Sequence, residues 1–155
     1  MKYLIALIIT ALLSASCNST DKPTDKTATT TDTGEPWRND QLMPPADLAT
    51  MITNNDPQLP LIICIGPSGG IKGSVDMGPA QEKEGIATIK KYLEGLPKDQ
   101  HLVIYCGCCP FSPCPNVRPA FSLLTEMGFT NHKLLNLSTN LKTDWINPGY
   151  PMKEN

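Results

Sequence analysis

Four of the chain's six cysteines, Cys106, Cys108, Cys109 and Cys114, fall in one stretch, Cys-Gly-Cys-Cys-Pro-Phe-Ser-Pro-Cys-Pro. Thiols gathered this closely support three kinds of chemistry. A thiolate is a nucleophile, a pair of thiols can be oxidised to a disulfide, and several together ligate a soft metal such as Cu(I) or Zn(II). The paired C-x-x-C knuckles of a zinc ribbon are absent, so the reading needs no resident metal or cofactor. Gly107, Pro110, Pro113 and Pro115 impose an irregular backbone, which makes the stretch a loop.

Two elements must position that loop. The β-branched apolar run from His101 to Tyr105 predicts a buried strand, and the amphipathic run from Val117 to Met127 predicts a helix. A loop that leaves a strand and feeds a helix aims backbone N–H groups and the positive end of the helix dipole at one point. A thiolate or an anion placed there is stabilised. Cys106 sits at the carboxyl end of the strand and is the expected nucleophile. Cys114, just before the expected helix start at Pro115-Asn116, is favoured almost as much by the dipole and is the alternative. Arg118 falls in the helix's first turn, where it can bind an anion, and Pro119 is compatible with a first-turn position. Cys108 and Cys109 are placed to pair with Cys106 or Cys114 as a disulfide. A structural staple across the loop is the plainer alternative.

The rest of the chain supplies the scaffold. Pro44-Pro45 lead into a short helix over 46–52, and Leu59 to Ile65 is a continuous apolar run of strand length. Gly66 to Gly70 break the run, and residues 71–77 read as a short extended segment. Residues 81–96 read as the longest helix. A strand is expected over 132–137 and a short helix over 141–146, closed by Pro148 and Gly149. Alternation of strand and helix predicts a small α/β domain, its mostly parallel central sheet covered by helices on both faces. Ligands in such sheets sit at the carboxyl ends of the strands, where Cys106 falls. Cys64 and Trp145 are expected to be core residues, and His101 and His132 to lie at strand edges.

Composition bounds the partners. With 155 residues, 40 % hydrophobic and 18 % charged, the chain supports one globular domain plus appendages. A formal charge of −2 offers no basic face for nucleic acid, and nothing argues for an oligomer, so a monomer is expected. Met1-Lys2 followed by an apolar run to Leu13 reads as an export signal, too short to span a bilayer comfortably. Ser14-Ala15-Ser16-Cys17 resembles the bacterial lipoprotein signal, which makes Cys17 the expected lipidation site. Residues 18–36 are a Thr- and Asp-rich tether with little to bury. The expected organisation is therefore a signal over 1–17, a tether over 18–36 and a domain over 37–155. The domain would be held at the bacterial cell envelope by an N-terminal lipid, facing the periplasm.

From Leu42 to Pro151 the chain resembles a rhodanese-like (sulfurtransferase) domain. Leu-Ile-Ile-Cys-Ile-Gly and the later Ile-Lys-Gly-Ser-Val-Asp-Met resemble the family's second strand and the segment after it. Val103 to Cys106 is like the strand that delivers the catalytic cysteine, Gly128 to Leu135 is like the turn and strand that follow, and Trp145, Gly149 and Pro151 match the closing pattern. The resemblance implies a Cys106 persulfide, with Gly107, Cys108, Cys109 and Arg118 in the substrate-binding loop. The implied donor is a small sulfane-sulfur compound such as thiosulfate or a persulfide, and the acceptor is a thiol or cyanide. The chain departs from the family where Cys64, Ile65 and Gly66 replace the usual aspartate and arginine. It departs again where an enlarged loop separates Arg118 from Cys106, and where Thr139 and Asn140 replace two glycines. Those departures keep other readings open: a soft-metal or thiol-redox loop, or a catalytically silent partner-binding module.

Overall fold

Proline placement starts several of the elements. In the computed structural model, which describes residues 34–67 and 69–154, Pro45 opens the helix Pro45–Thr53 (α1) from an extended Pro44. Pro60 has no N–H to give a ladder, so the strand begins one residue later: Leu61–Cys64 (β2) replaces the expected 59–65. Its first ladder bond runs from the Leu61 N–H to the His101 carbonyl at 2.9 Å. The extended segment expected over 71–77 shrinks to Val75–Asp76 (β3), because Gly73 turns the chain at a φ of 79°.

The long helix is Lys83–Glu94 (α2), and the strand behind the cysteine loop is Leu102–Tyr105 (β4), buried along its whole length. The helix after the loop is Val117–Glu126 (α3), and His132–Leu135 (β5) follows. A two-residue strand not anticipated from the sequence, Leu42–Met43 (β1), precedes α1. It is too short to show a period. The helix expected over 141–146 is a π-helical turn, Lys142–Ile146, tied by the Asn147 N–H to the Lys142 carbonyl at 2.8 Å.

The sheet order is β1-β5-β4-β2-β3 and every pairing is parallel. Alternate residues of β2 and β4 face opposite ways, as strand geometry requires. Ile63, Leu102 and Ile104 pack with Ile89 and Leu93 of α2 and with Ala120, Phe121 and Leu124 of α3. On the other face Ile62, Cys64, Val103 and Tyr105 pack with Leu48, Ala49 and Ile52 of α1 and with Trp145. Helices thus cover both faces, as an all-parallel sheet needs.

Trp145 is fully buried and donates its ring N–H to the Pro151 carbonyl at 3.0 Å. His132 opens β5, at the strand's start as expected, and is buried against Phe121, its ring Nδ1 3.0 Å from the Phe129 carbonyl. The export signal, Cys17 and the tether as far as residue 33 lie outside the described residues. Among the described residues, no helix is long and apolar enough to cross a membrane.

Candidate thiol site

Connectivity sets the switch point of the sheet. From the carboxyl end of β2 the chain turns outward to β3, and from that of β4 it turns the opposite way, through α3, to β5. Two neighbouring strands whose exits diverge mark the sheet's switch point, the usual ligand position in such sheets. Gly66 and Cys106 meet there. A Cβ on Gly66 would lie 2.5 Å from the Cys106 sulfur, so glycine is what lets the two chain exits approach. Nearby, the buried Tyr105 hydroxyl accepts from the Gly70 and Ile71 N–H groups and pairs with Ser74 Oγ at 3.1 Å, which pins the loop after β2.

The cysteine loop is braced along its length. The Leu141 N–H donates to the Gly107 carbonyl at 3.0 Å and the Phe111 N–H to the Leu137 carbonyl at 3.1 Å. Phe111 meets Trp37 edge-on, and Trp37 in turn meets Phe121 of α3. The loop is therefore fastened to the segments after β5 and, through Trp37, to α3.

These braces bring the sulfurs together. The Sγ atoms of Cys106 and Cys108 are 3.3 Å apart and those of Cys108 and Cys109 3.2 Å apart. The three sulfurs of Cys106, Cys108 and Cys114 all lie within 4.8 Å of one another, and all four loop cysteines are free thiols. Cys106 and Cys114 are buried whereas Cys108 is exposed, so the cluster runs from the interior to the surface.

Asn116, just ahead of α3, holds the cluster from below. Its side-chain NH₂ reaches the Cys106 sulfur at 3.5 Å and the Cys114 sulfur at 3.9 Å. Its side-chain oxygen accepts from the Gln81 N–H at 3.0 Å, which orients the amide and ties the loop to the segment before α2. Sequence reasoning passed over Asn116 although asparagine at a helix start was a visible signal; its side chain serves the sulfurs rather than the helix. Gly66 had no such signal. Its importance comes from a residue forty positions away.

The thiols are not equivalent. Burial pushes the Cys106 thiol well above the ordinary range, and burial likewise lifts Cys109 to about 12. Burial acts on Cys114 too, but the Cys106 S–H, the Asn116 N–H, Cys109 and the Val117 N–H donate to its sulfur and together hold it below the usual thiol value. Cys64 lies in the core away from the loop, its thiol raised by burial. Arg118 sits in the first turn of α3, as expected, but its guanidinium is paired with Glu35 at 2.6 Å and lies over the Trp37 ring. Glu35 also accepts from Ser112 at 3.4 Å, so a residue assigned to the tether is docked on the cysteine loop.

No family model matches the chain, and no curated protein matches it. Among solved structures the chain is similar to the Alr3790 protein from Anabaena sp., with a TM-score of 0.52 and 18 % identity. The match covers 72 % of this chain and 90 % of that one. At that identity the likeness is one of fold.

Proposed function

We propose that this protein is an exported, lipid-anchored sulfurtransferase of rhodanese type, which carries sulfane sulfur as a cysteine persulfide on the loop between β4 and α3. The observation that carries the reading is the convergence of N–H donors from α3 and Asn116 on one sulfur of a thiol cluster at the sheet's switch point. That arrangement favours Cys114 as the attacking thiolate, with Cys106 beside it as a protonated partner. The roles expected from strand position alone are thereby exchanged.

In the proposed reaction the Cys114 thiolate attacks the outer sulfur of thiosulfate. A new S–S bond forms on Cys114, the donor's S–S bond breaks, and its electron pair leaves on sulfite. An acceptor thiolate then attacks the outer persulfide sulfur and takes it, which returns Cys114 as thiolate. Donors fixed before the reaction stabilise the terminal persulfide charge without reorganisation. Cys108, at the exposed end of the cluster, is where donor and acceptor enter. The anchor is Cys17, acylated after signal cleavage, and the domain acts as a monomer.

The test is peptide mass analysis of the reduced full chain after exposure to thiosulfate or polysulfide. One added sulfur on Cys114, removed by cyanide, supports the reading. The same sulfur on Cys106 returns the nucleophile to the strand end. No sulfur on either residue overturns the proposal. Mass analysis of the amino-terminal peptide from cells tests the anchor, which requires a diacylglycerol adduct on Cys17.

A further inference from the structure

Three converging thiols have a second use. We infer that Cys106, Cys108 and Cys114 form a three-thiolate site for a single Cu(I) ion, a property that stands apart from sulfur transfer. The spacing fits. With metal–sulfur bonds of about 2.3 Å, a trigonal ion sets its sulfurs roughly 4 Å apart. The Cys106 and Cys108 sulfurs are 3.3 Å apart and no pair in the trio exceeds 4.8 Å, so small rotations of the side chains close the site.

Ligand number and type select the ion. Among the described residues the set of mutually close ligand atoms stops at three sulfurs, with no histidine or carboxylate in it. Structural zinc takes four ligands in a tetrahedron, whereas soft thiolates alone suit Cu(I). The surroundings suit the charge as well. Three thiolates and one monovalent cation leave two negative charges, and the Asn116 NH₂, at the start of α3, lies against two of the three sulfurs. The loop is held by the Gly107 and Phe111 backbone bonds, and Cys108 at the surface gives the ion its way in. Copper enters and stays as Cu(I), so no electron moves; the protons still on the thiols pass to solvent. An occupied site would block persulfide formation, because both uses draw on the same sulfurs.

The experiment is an anaerobic titration of the reduced full chain with Cu(I) against the coloured chelator bicinchoninate, read also by native mass spectrometry. One copper per chain withheld from the chelator is expected. Cys106→Ser, Cys108→Ser and Cys114→Ser should each loosen it by about tenfold or more, and Asn116→Ala by about 10–100-fold, as for groups that orient metal ligands. Cys109→Ser should retain it. Copper left wholly to the chelator overturns the inference, as does equal retention by all three ligand variants. Should a ligand variant fail to fold, copper X-ray absorption on the unaltered chain decides: a shell of three sulfurs is required, and two or four refute the site. Sulfur uptake is measured separately, so copper binding without it, or the reverse, shows which reading has failed.

Discussion

The contact between Gly66 and Cys106 gives a sharp test of how the two chain exits pack. In Gly66→Ala the new methyl would lie 2.5 Å from the Cys106 sulfur, 3.3 Å from its Cα and 3.4 Å from its Cβ. Only the first distance is impossible. The sulfur cannot simply swing aside, because Cys108 and Asn116 already crowd it at 3.3 and 3.5 Å. Overpacking of this kind costs about 1–3 kcal/mol. Gly66 is outside the left-handed region, so alanine fits the backbone and returns about 0.4–1 kcal/mol by restricting the unfolded chain. The net expectation is a loss of roughly 1–2 kcal/mol. In a Cys106→Ala background the clashing sulfur is gone and the other two contacts need only slight adjustment. There the same substitution should fall within about 0.5 kcal/mol of neutral, a coupling of roughly 1–2 kcal/mol between the two positions. Urea denaturation of the four proteins of this cycle measures it. An equal cost for Gly66→Ala with and without the Cys106 sulfur would refute the account of why glycine stands there.

Two further outcomes follow from the same structure. Burial holds the His132 imidazole below its ordinary pKa of 6.5, with Arg38 adding to the effect, while the unfolded chain takes up its proton near that value. The unfolded state then binds more protons, so the histidine's contribution is full above pH 6.5 and is lost as pH falls through the lower folded value. Urea midpoints followed from pH 7.5 down to 5 should decline, and a His132→Phe variant that declines as steeply would show the effect lies elsewhere. The Arg118–Glu35 pair is partly exposed and should couple by no more than about 1 kcal/mol in an Arg118→Ala/Glu35→Ala cycle. A larger coupling would mean that Glu35 anchors the loop more firmly than its exposure implies.

The sequence by itself determined the class of fold and the stretch where the thiols are gathered. Four-residue apolar runs such as Leu102–Tyr105, alternating with amphipathic helices, have few stable solutions besides a parallel sheet covered on both faces. Cysteines gathered between a strand and a helix announce themselves, because the periodicities that frame them are local. Local patterns also failed in definite places. Strand ends moved with Pro60 and Gly73, and the two-residue β1 was too short to leave a pattern.

Tertiary structure alone decided how the four thiols differ. Position at a strand end pointed to Cys106, but the charge a thiol can carry depends on donors brought from elsewhere in the chain and on burial that no spacing reports. Asn116, oriented by the Gln81 N–H, and the first turn of α3 favour Cys114, while the interior raises Cys106. Likewise Arg118, a plausible anion ligand in one dimension, meets Glu35 only when residues 83 positions apart are folded onto the same loop. Proton affinities and ligand sets are sums over neighbours in space, and those neighbours exist only once the chain has closed.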